Sequence, residues 1–342
     1  MKPSRAVEIV GGGLAGLSLG LALRKEGVSV TLFEAGTYPR HRVCGEFIAG
    51  LGAETIARLG LAPLLADAGR LREVVWSVRG RELCRQRLPA PALALSRHRL
   101  DAWLAEAFTA AGGHLLTGTR VDPKENPAGR VFATGRRRST AGKWLGLKLH
   151  ASGLRLTSEL ELHLGDGAYV GLCPVEGGMV NVCGLFRMRP EVAAGRETVL
   201  AGYLQATGLD ALAARLASAR IDPVSCSAVA GVGFDGHGPE TDRLNLGDTF
   251  AMIPPFTGNG MAMAFQSAEA ALDPLLAWAR GETEWPDTVH RTDGRLRRRF
   301  RWRLATAAAV HPFLHSPARQ RWLALAARSR MLPLRPLYYL LH

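Results

Sequence analysis

The feature that most constrains this 342-residue sequence is a glycine-rich turn between a short apolar strand and an apolar helix near its start. Gly11, Gly13 and Gly16 have the spacing GxGxxG, with one strand predicted over residues 6–10 and a second over residues 28–34. In such a β-α-β unit the first glycine permits the tight turn, the second lets the backbone approach a pyrophosphate, and the third lets helix and strand pack closely. The helix N-terminus then favours the phosphate charge.

A carboxylate at the end of the second strand supports this interpretation. Glu34 lies where it can accept hydrogen bonds from a ribose diol. With both strands and the helix in place, an adenine dinucleotide is the expected ligand, whereas a purely structural turn would leave the position of Glu34 unexplained. Leu14, Ala15 and Ala35 complete the expected binding segments.

A second glycine-bearing bend lies in the other half of the chain. Residues 244–272 read as a strand, a Gly-Asp pair, a proline-rich turn and a helix that opens with Gly258-Asn259-Gly260. Asp248 is placed to hydrogen-bond a sugar-like chain, and the amides of the helix start face a second electron-rich group. A reduced flavin, which carries negative charge near N1 and C2=O, has this character.

Period-two alternation over residues 154–186, with turns at 165–167 and 176–178, predicts an antiparallel sheet. The expected fold class is α/β, with a Rossmann-type FAD-binding domain, an antiparallel β-sheet substrate domain and a C-terminal helical segment. The expected boundaries are 1–72, 93–150 and 240–282 for the FAD-binding domain, 73–92 and 151–239 for the substrate domain, and 283–342 for the basic helical segment.

The order of four motifs resembles the FAD signatures of one superfamily, which contains p-hydroxybenzoate-hydroxylase-type monooxygenases, flavin-dependent halogenases and geranylgeranyl reductases. The matching segments are Gly11-Gly13-Gly16, Ser96–Asp101, Ala133–Gly135, and Gly247-Asp248 with residues 255–260. The resemblance implies FAD as the cofactor. It also implies contacts of FAD with Arg97, of its ribityl chain with Asp248, and of its isoalloxazine ring with Pro255, Gly258, Asn259 and Gly260.

Residues 39–47 resemble most the geranylgeranyl-reductase branch, in which a Cys-Gly pair lies beside the flavin. Cys44 is therefore a candidate catalytic residue that shapes proton delivery at the ring, and a small buried core residue is the alternative. Arg42 is a candidate FAD contact or a surface charge. Tyr169 is the second catalytic candidate, or else a core tyrosine of an ordinary strand. It begins a segment that resembles the YxWxFP element of these reductases.

Residues 171 and 173 depart from that element, because Gly171 and Cys173 replace its Trp and Phe. Two small residues there predict more space over the ring and a different, bulkier substrate. Thr134 stands where the hydroxylases that use NAD(P)H carry Asp, which argues against direct NAD(P)H binding. A ferredoxin or a separate flavin reductase is then an alternative electron donor.

Three functions remain open at this point. The favoured one is a geranylgeranyl-reductase-type C=C reductase acting on a lipophilic or carrier-bound substrate. The alternatives are a flavin monooxygenase that hydroxylates or epoxidises an aromatic or polyketide-like substrate, and a non-catalytic flavin-binding protein. The sequence has neither HxH nor HExxH, so no metal is expected.

The net charge of +13 is concentrated at the end of the chain. From Arg291 onward there are twelve Arg and one acid, Asp293. Aromatic residues interleave with these arginines, which predicts contact with a membrane surface or an acidic carrier protein. A helical lid with a solvated arginine face is the alternative. A basic run confined to one terminal segment argues against nucleic-acid binding.

The five cysteines contain no CxxC pair, which favours a reducing cytoplasmic location. Membrane association through the basic segment stays open. No apolar stretch reaches 18 residues without a charge, so no membrane-spanning helix is expected.

Overall fold

A computed structural model of the chain describes residues 5–136, 142–192, 195–234, 242–329 and 334–341, together with the side chains of these residues except at positions 327, 328, 334 and 335. The strands within these ranges are β1 Val7–Val10, β2 Val30–Glu34, β3 Phe47–Ile48, β4 Gly69–Val78, β5 Arg81–Ala94, β6 His114–Thr117, β7 Arg130–Phe132, β8 Trp144–Ser152, β9 Leu160–Gly165, β10 Ala168–Val175, β11 Met179–Arg187, β12 Arg220–Val232 and β13 Leu244–Asn245. The helices are α1 Leu14–Lys25, α2 Ala53–Leu59, α3 Ala62–Leu65, α4 Arg97–Ala110, α5 Val199–Ala206, α6 Asp210–Ala217, α7 Gly260–Ala279, α8 Trp285–His315, α9 Pro317–Arg328 and α10 Leu334–Leu341.

The smaller sheet is parallel and has the order β13-β7-β1-β2-β6. Its strands β1 and β2 contact α1, which in turn packs on α4 and α7, so these strands are largely apolar. Helices α1 and α4 pack closely against each other, because a Cβ on Gly20 of α1 would lie only 2.8 Å from the ring of Phe108 in α4. This sheet and its helices confirm the predicted Rossmann-type fold.

The larger sheet has the order β12-β8-β11-β10-β9-β4-β5-β3 and is antiparallel except where β4 pairs with β9. Successive strands β9, β10 and β11 form the predicted antiparallel segment. One face of the sheet is covered by α5 and α6, against Val170, Leu172 and Phe186 among others. Because side chains alternate along a strand, Tyr169 and Gly171 lie on the opposite face.

The structure differs from the expected domain boundaries at two places. Residues 93–150 were assigned to the FAD-binding domain, yet β8 pairs with β11 and β12 in the larger sheet. Residues 1–72 were assigned likewise, yet β3 and the start of β4 also belong to the larger sheet. The strand β8 is buried on both faces and so lacks the alternation that marks a half-exposed strand. The expected boundary at 239/240 lies outside the described residues.

The C-terminal segment is helical, as expected, and one side of it packs on the body of the protein. Helix α8 contacts α7, β9, β10 and β13, and both α9 and α10 contact α8. The packed stripe repeats every three or four residues and comprises Leu296, Phe300, Arg303, Ala307, His311 and Leu314. Within the described ranges, no helix combines the length and the apolar character that a bilayer crossing requires.

Candidate active site

A cavity of about 1230 Å³ lies where the two sheets meet, and both glycine-bearing bends open into it. The residues expected to bind the cofactor or to act that line this cavity are Gly11, Gly13, Leu14, Ala15, Glu34, Ala35, Arg42, Cys44, Arg97, Tyr169, Asp248, Pro255, Gly258 and Gly260. Segments far apart in the sequence therefore converge on one cleft, as a single dinucleotide bound at both bends requires.

The three glycines of the first bend have different surroundings. Gly11 has a φ of +111°, and a Cβ there would lie 2.2 Å from the carbonyl oxygen of Ala133. A Cβ on Gly16 would lie 2.1 Å from the Gly11 carbonyl oxygen, so this glycine serves packing and does not line the cavity. A Cβ on Gly13 would meet no atom within 4 Å. Gly13 is also the N-cap of α1, with no side-chain cap, so the open space lies at a helix N-terminus that favours an anion.

Glu34 is buried at the end of β2, and its carboxylate is already held by the protein. Its Oε2 accepts a hydrogen bond from the Gly12 N–H at 2.8 Å. Its Oε1 accepts from the Gly36 N–H at 2.8 Å and from Arg40 Nη2 at 2.6 Å. These contacts fix the carboxylate beside the glycine turn, where a ribose diol would share it with Arg40.

Two arginines of the cavity wall are held by one buried carboxylate, Asp101. Arg97 donates from Nε at 2.7 Å and from Nη2 at 2.9 Å, and Arg42 donates from Nε at 2.8 Å. Burial lowers the pKa of Arg97, but the charge and hydrogen bonds of Asp101, together with other nearby negative groups, raise that pKa overall. Burial and the nearby Arg97 charge lower the pKa of Arg42. Sequence reasoning gave no role to Asp101, although it follows Arg97 by one helical turn.

The second bend contains an open helix N-terminus and the carboxylate of Asp248, which faces the cavity. Gly258 has a φ of +67°, and its Cβ would lie 2.1 Å from the ring of Phe47, whereas a Cβ on Gly260 would meet nothing within 4 Å. Asp248 lines the cavity and receives no hydrogen bond from the described residues. Burial raises its pKa, and the Arg97 charge opposes that rise. The carboxylate is therefore available to a hydroxylated ligand.

Asn259 does not line the cavity, although its neighbours Gly258 and Gly260 do. The side chain is fully buried, and its Nδ2 donates to the Leu341 carbonyl oxygen at 2.7 Å. Its backbone precedes the α7 start, but the amide ties α10 to the 255–260 loop. The C-terminal helix is thus joined to the bend that lies at the cavity.

Cys44 lines the cavity, and its Sγ accepts a hydrogen bond from the Glu46 N–H at 3.5 Å. Burial raises the pKa of the thiol, so it remains protonated at neutral pH. Gly171 also lines the cavity, in agreement with the expected extra space. Cys173 does not: it is buried in a core cluster, and its thiol faces the Glu46 carbonyl oxygen at 3.7 Å. The smaller residue enlarges the cavity only at position 171.

Next to Tyr169 the structure places a histidine that sequence reasoning missed. His311 of α8 lies 6.0 Å from Tyr169, and Phe256 lies 6.1 Å from Tyr169, between ring centroids. Neither the Tyr169 hydroxyl nor His311 Nε2 makes a regular hydrogen bond within the described residues, although both are buried. Burial raises the pKa of Tyr169 and lowers that of His311 to about 4, so both are neutral at pH 7. The sequence does not single out His311, because Tyr169 lies far from it in the chain and the expectations for this segment rest on its arginines and aromatic residues.

We expect His311 to make the stability of the protein fall in mild acid. Its folded pKa of about 4 lies below the ordinary histidine value of 6.5, so the unfolded chain binds the proton more readily between these values. The free energy of unfolding should therefore decrease as the pH falls through this range. Urea unfolding at about pH 7 and about pH 5 should show a smaller decrease for His311→Gln than for the natural protein. Identical decreases would contradict this prediction.

Beneath the cavity wall lies a buried cluster of ionisable side chains. Glu46 Oε2 is 2.6 Å from His150 Nε2, and Glu46 Oε1 is 3.4 Å from Lys148 Nζ. Lys148 Nζ is also 3.0 Å from His41 Nδ1, and burial together with the Lys148 charge lowers the pKa of His41 to about 4. The ammonium is therefore bound by a carboxylate and a neutral imidazole.

His41 and His150 also form a group with Asp222 in which the possible ligand atoms lie within 4.8 Å of one another. Sequence spacing did not indicate it, because the three residues come from different segments. A bound cation would meet the Lys148 ammonium beside His41. We therefore assign no metal to this group.

Comparisons with known proteins agree with this architecture. Residues 9–63 match the family described as an NAD(P)-binding Rossmann-like domain. A menaquinone reductase of Mycobacterium tuberculosis (strain ATCC 25618 / H37Rv) is 26% identical in an alignment of 222 residues. The match covers 52% of this chain and 54% of that protein. The chain thus spans about half the length of the curated relatives it matches.

Two solved structures share the fold over almost the whole chain. Klebsiella pneumoniae HpxO, complexed with FAD and uric acid, has a TM-score of 0.76 at 18% identity and covers 98% of this chain and 96% of its own. The p-nitrophenol 4-monooxygenase PnpA of Pseudomonas putida DLL-E4 has a TM-score of 0.74 at 15% identity, with 100% and 97% covered. The chain therefore shares the overall fold of these two proteins, in agreement with the fold class expected from the motifs.

Proposed function

We propose that this protein is an FAD-dependent oxidoreductase that acts on a lipophilic substrate. The observation that carries the proposal is the convergence of both glycine-bearing bends, each at a helix N-terminus, on one cavity that also contains Arg97 and Asp248. The fold shared with FAD-bound HpxO and the similarity to a menaquinone reductase support it.

The residues of the cavity fit FAD in four places. The open space at Gly13 and the N-terminus of α1 would hold the diphosphate, and Glu34 the ribose. Asp248 would accept hydrogen bonds from the ribityl chain, and the N-terminus of α7 at Gly260 would stabilise negative charge on the ring. When bound, FAD supplies hydride transfer or activation of O₂.

The reaction that we favour is reduction of a carbon–carbon double bond. The larger sheet contributes several small or apolar residues to the cavity wall, among them Gly146, Leu162, Gly171, Leu185 and Val229. Such a wall suits an aliphatic chain. The thiol and the hydroxyl of the two catalytic candidates are both protonated at neutral pH, so either can deliver a proton to a reduced substrate.

The electrons have to reach the cofactor from a donor. Thr134 occupies the position at which NAD(P)H-using hydroxylases carry Asp, and its hydroxyl lies 3.3 Å from that of Thr249. We therefore propose a separate protein donor, a ferredoxin or a flavin reductase, rather than direct binding of NAD(P)H.

Oxygen transfer is the second candidate function. The overall fold matches the p-nitrophenol 4-monooxygenase over nearly the entire length of both chains. Such a reaction requires O₂, whereas reduction of a double bond does not. A non-catalytic flavin-binding protein would perform neither.

Anaerobic turnover separates these functions. The FAD-loaded protein, reduced chemically without O₂, is mixed with a menaquinone that has a short isoprenoid chain, and the product is analysed by mass spectrometry. The ring of the product is first reoxidised to the quinone, because reduction of the quinone itself also adds two hydrogens. We then expect a product that is heavier by two hydrogens in its isoprenoid chain. Product that forms only with ¹⁸O₂ and contains the label would establish a monooxygenase instead, and no product under either condition would contradict enzymatic reduction of this substrate class.

Two conservative variants identify the proton donor in the same assay. Cys44→Ser and Tyr169→Phe each alter one candidate at nearly constant size. The variant that slows turnover while it retains FAD marks the residue that delivers the proton.

A further inference from the structure

Exposed large apolar side chains concentrate on the C-terminal helices. Of the eight such residues in the described part of the chain, two lie elsewhere, Met188 and Val224. The other six are Trp302, Phe313, Trp322, Leu325, Tyr339 and Leu340, which we call the C-terminal apolar face. Trp302, Trp322 and Tyr339 are 63%, 68% and 70% exposed, so they contribute little to the packing of the body.

The exposed residues follow helical periodicity. On α8, Trp302, Ala305, Ala309 and Phe313 recur at intervals of three or four residues on the side opposite the packed stripe. On α9, Ala318, Trp322 and Leu325 do the same. Each helix thus has one side against the protein and a second apolar side against solvent. Exposed apolar residues repeated along a helix in this way mark an interaction surface.

Arginines surround this face. Exposed Arg291, Arg298, Arg301, Arg319 and Arg321 have no carboxylate partner within the described residues. The side chains of Arg301 and Arg319 instead lie over the rings of Trp302 and Phe313, at 5.1 Å and 5.4 Å from the ring centroids. A partner that fits this face therefore has to carry both apolar and anionic groups.

We propose that the C-terminal apolar face binds the surface of an anionic lipid bilayer, with α8 and α9 lying along it. Trp and Tyr favour the interfacial region of a bilayer, and each arginine near an anionic surface adds electrostatic attraction. A second copy of the chain is disfavoured, because it would bring together two segments that each carry twelve Arg and one acid. This proposal does not depend on the proposed function.

The place of the face in the fold gives the binding a consequence. The Asn259 side chain bonds the Leu341 carbonyl oxygen, so α10 is attached directly to the 255–260 loop that lines the cavity. Binding at this face would therefore act on a segment that is joined directly to a loop of the cavity wall.

Vesicle sedimentation tests the proposal with the full-length, FAD-loaded protein. The probes are phosphatidylcholine vesicles with and without about one-third phosphatidylglycerol. We expect binding to the anionic vesicles only, and at least about tenfold weaker binding for Trp302→Gln/Trp322→Gln. Met188→Gln/Val224→Gln, which alters exposed apolar residues outside the face, should bind as the natural protein does.

The possible outcomes differ clearly. Binding should decrease when NaCl is raised from about 0.05 M to about 0.5 M, because salt screens the arginines. Bilayer-embedded brominated lipid should quench tryptophan fluorescence in the natural protein and not in the double tryptophan variant. Absence of vesicle binding, or binding that both double variants weaken equally, would overturn the proposal. Binding that depends on charge but not on the tryptophans would show electrostatic adsorption that does not use the apolar face, and would also overturn the proposal.

Discussion

Replacing Gly13 by aspartate should abolish FAD binding and leave the folded apoprotein at least as stable as before. The backbone at Gly13 has a φ of −92° and a ψ of −171°, which any residue can adopt, and a Cβ there would touch nothing within 4 Å. Aspartate is among the best N-cap residues, so it should stabilise α1. Its charge would nevertheless occupy the helix N-terminus that we assign to the diphosphate.

The expected loss of FAD affinity is at least about hundredfold, or roughly 2.7 kcal/mol. Fluorescence titration of the apoprotein with FAD measures the affinity, and urea unfolding without FAD measures the stability. Gly13→Ser is the matched control, because it adds a cap without a charge and should weaken FAD binding less. A Gly13→Asp protein that binds FAD normally would place the diphosphate elsewhere and contradict the proposed site.

Gly11 provides the opposite case within the same turn. A Cβ there would lie 2.2 Å from the Ala133 carbonyl oxygen, at a φ of +111°. Gly11→Ala should therefore destabilise the apoprotein itself, because the added Cβ would overlap the Ala133 carbonyl oxygen and alanine is strained at a positive φ. The two glycines are alike in the sequence motif, and the structure distinguishes which of them supports the fold and which leaves room for a ligand.

The parts of the fold that the sequence predicts are those set by local geometry. The β-α-β unit is recognisable because strand and helix periodicity flank glycines whose spacing has a steric reason. The segment Leu160–Arg187 is recognisable because it alternates and has glycine turns. The opening of α7 at Gly260 is recognisable for the same local reason, and both bends consequently line the cavity as expected.

The parts that it did not predict depend on contacts between distant segments. The expected domain boundary after residue 150 falls within β8, because this strand is buried on both faces and nothing in its own residues identifies its neighbours. His311 contacts Tyr169 across 142 positions of the chain, and Lys148 contacts Glu46 across 102. A lysine within the apolar run Leu145–Leu149 is nevertheless a signal, since a charge there needs a buried partner.

The buried ion pair of Glu46 and Lys148 should be the point of the fold at which a substitution lowers stability most. Both Glu46 and Lys148 have side chains with no solvent exposure. Glu46→Gln keeps the size of the side chain and removes the charge opposite the ammonium, which deprives Lys148 of its paired carboxylate. Removing one partner of a buried ion pair costs about 3–5 kcal/mol, and we expect the free energy of unfolding to fall by that amount.

A double-mutant cycle by urea unfolding tests this expectation. Lys148→Met should be about as destabilising as Glu46→Gln, and the two changes together should cost less than their sum, because neither then leaves an unpaired charge. The control is Glu73→Gln in the exposed pair with Arg85, whose side chains are 40% and 37% exposed and which should change stability by less than about 1 kcal/mol. Additive effects of the two buried substitutions would contradict the pairing. Because Glu46 directly follows the Cys44-Gly45 wall of the cavity, the single variants should also bind FAD more weakly, whereas the exposed control should not.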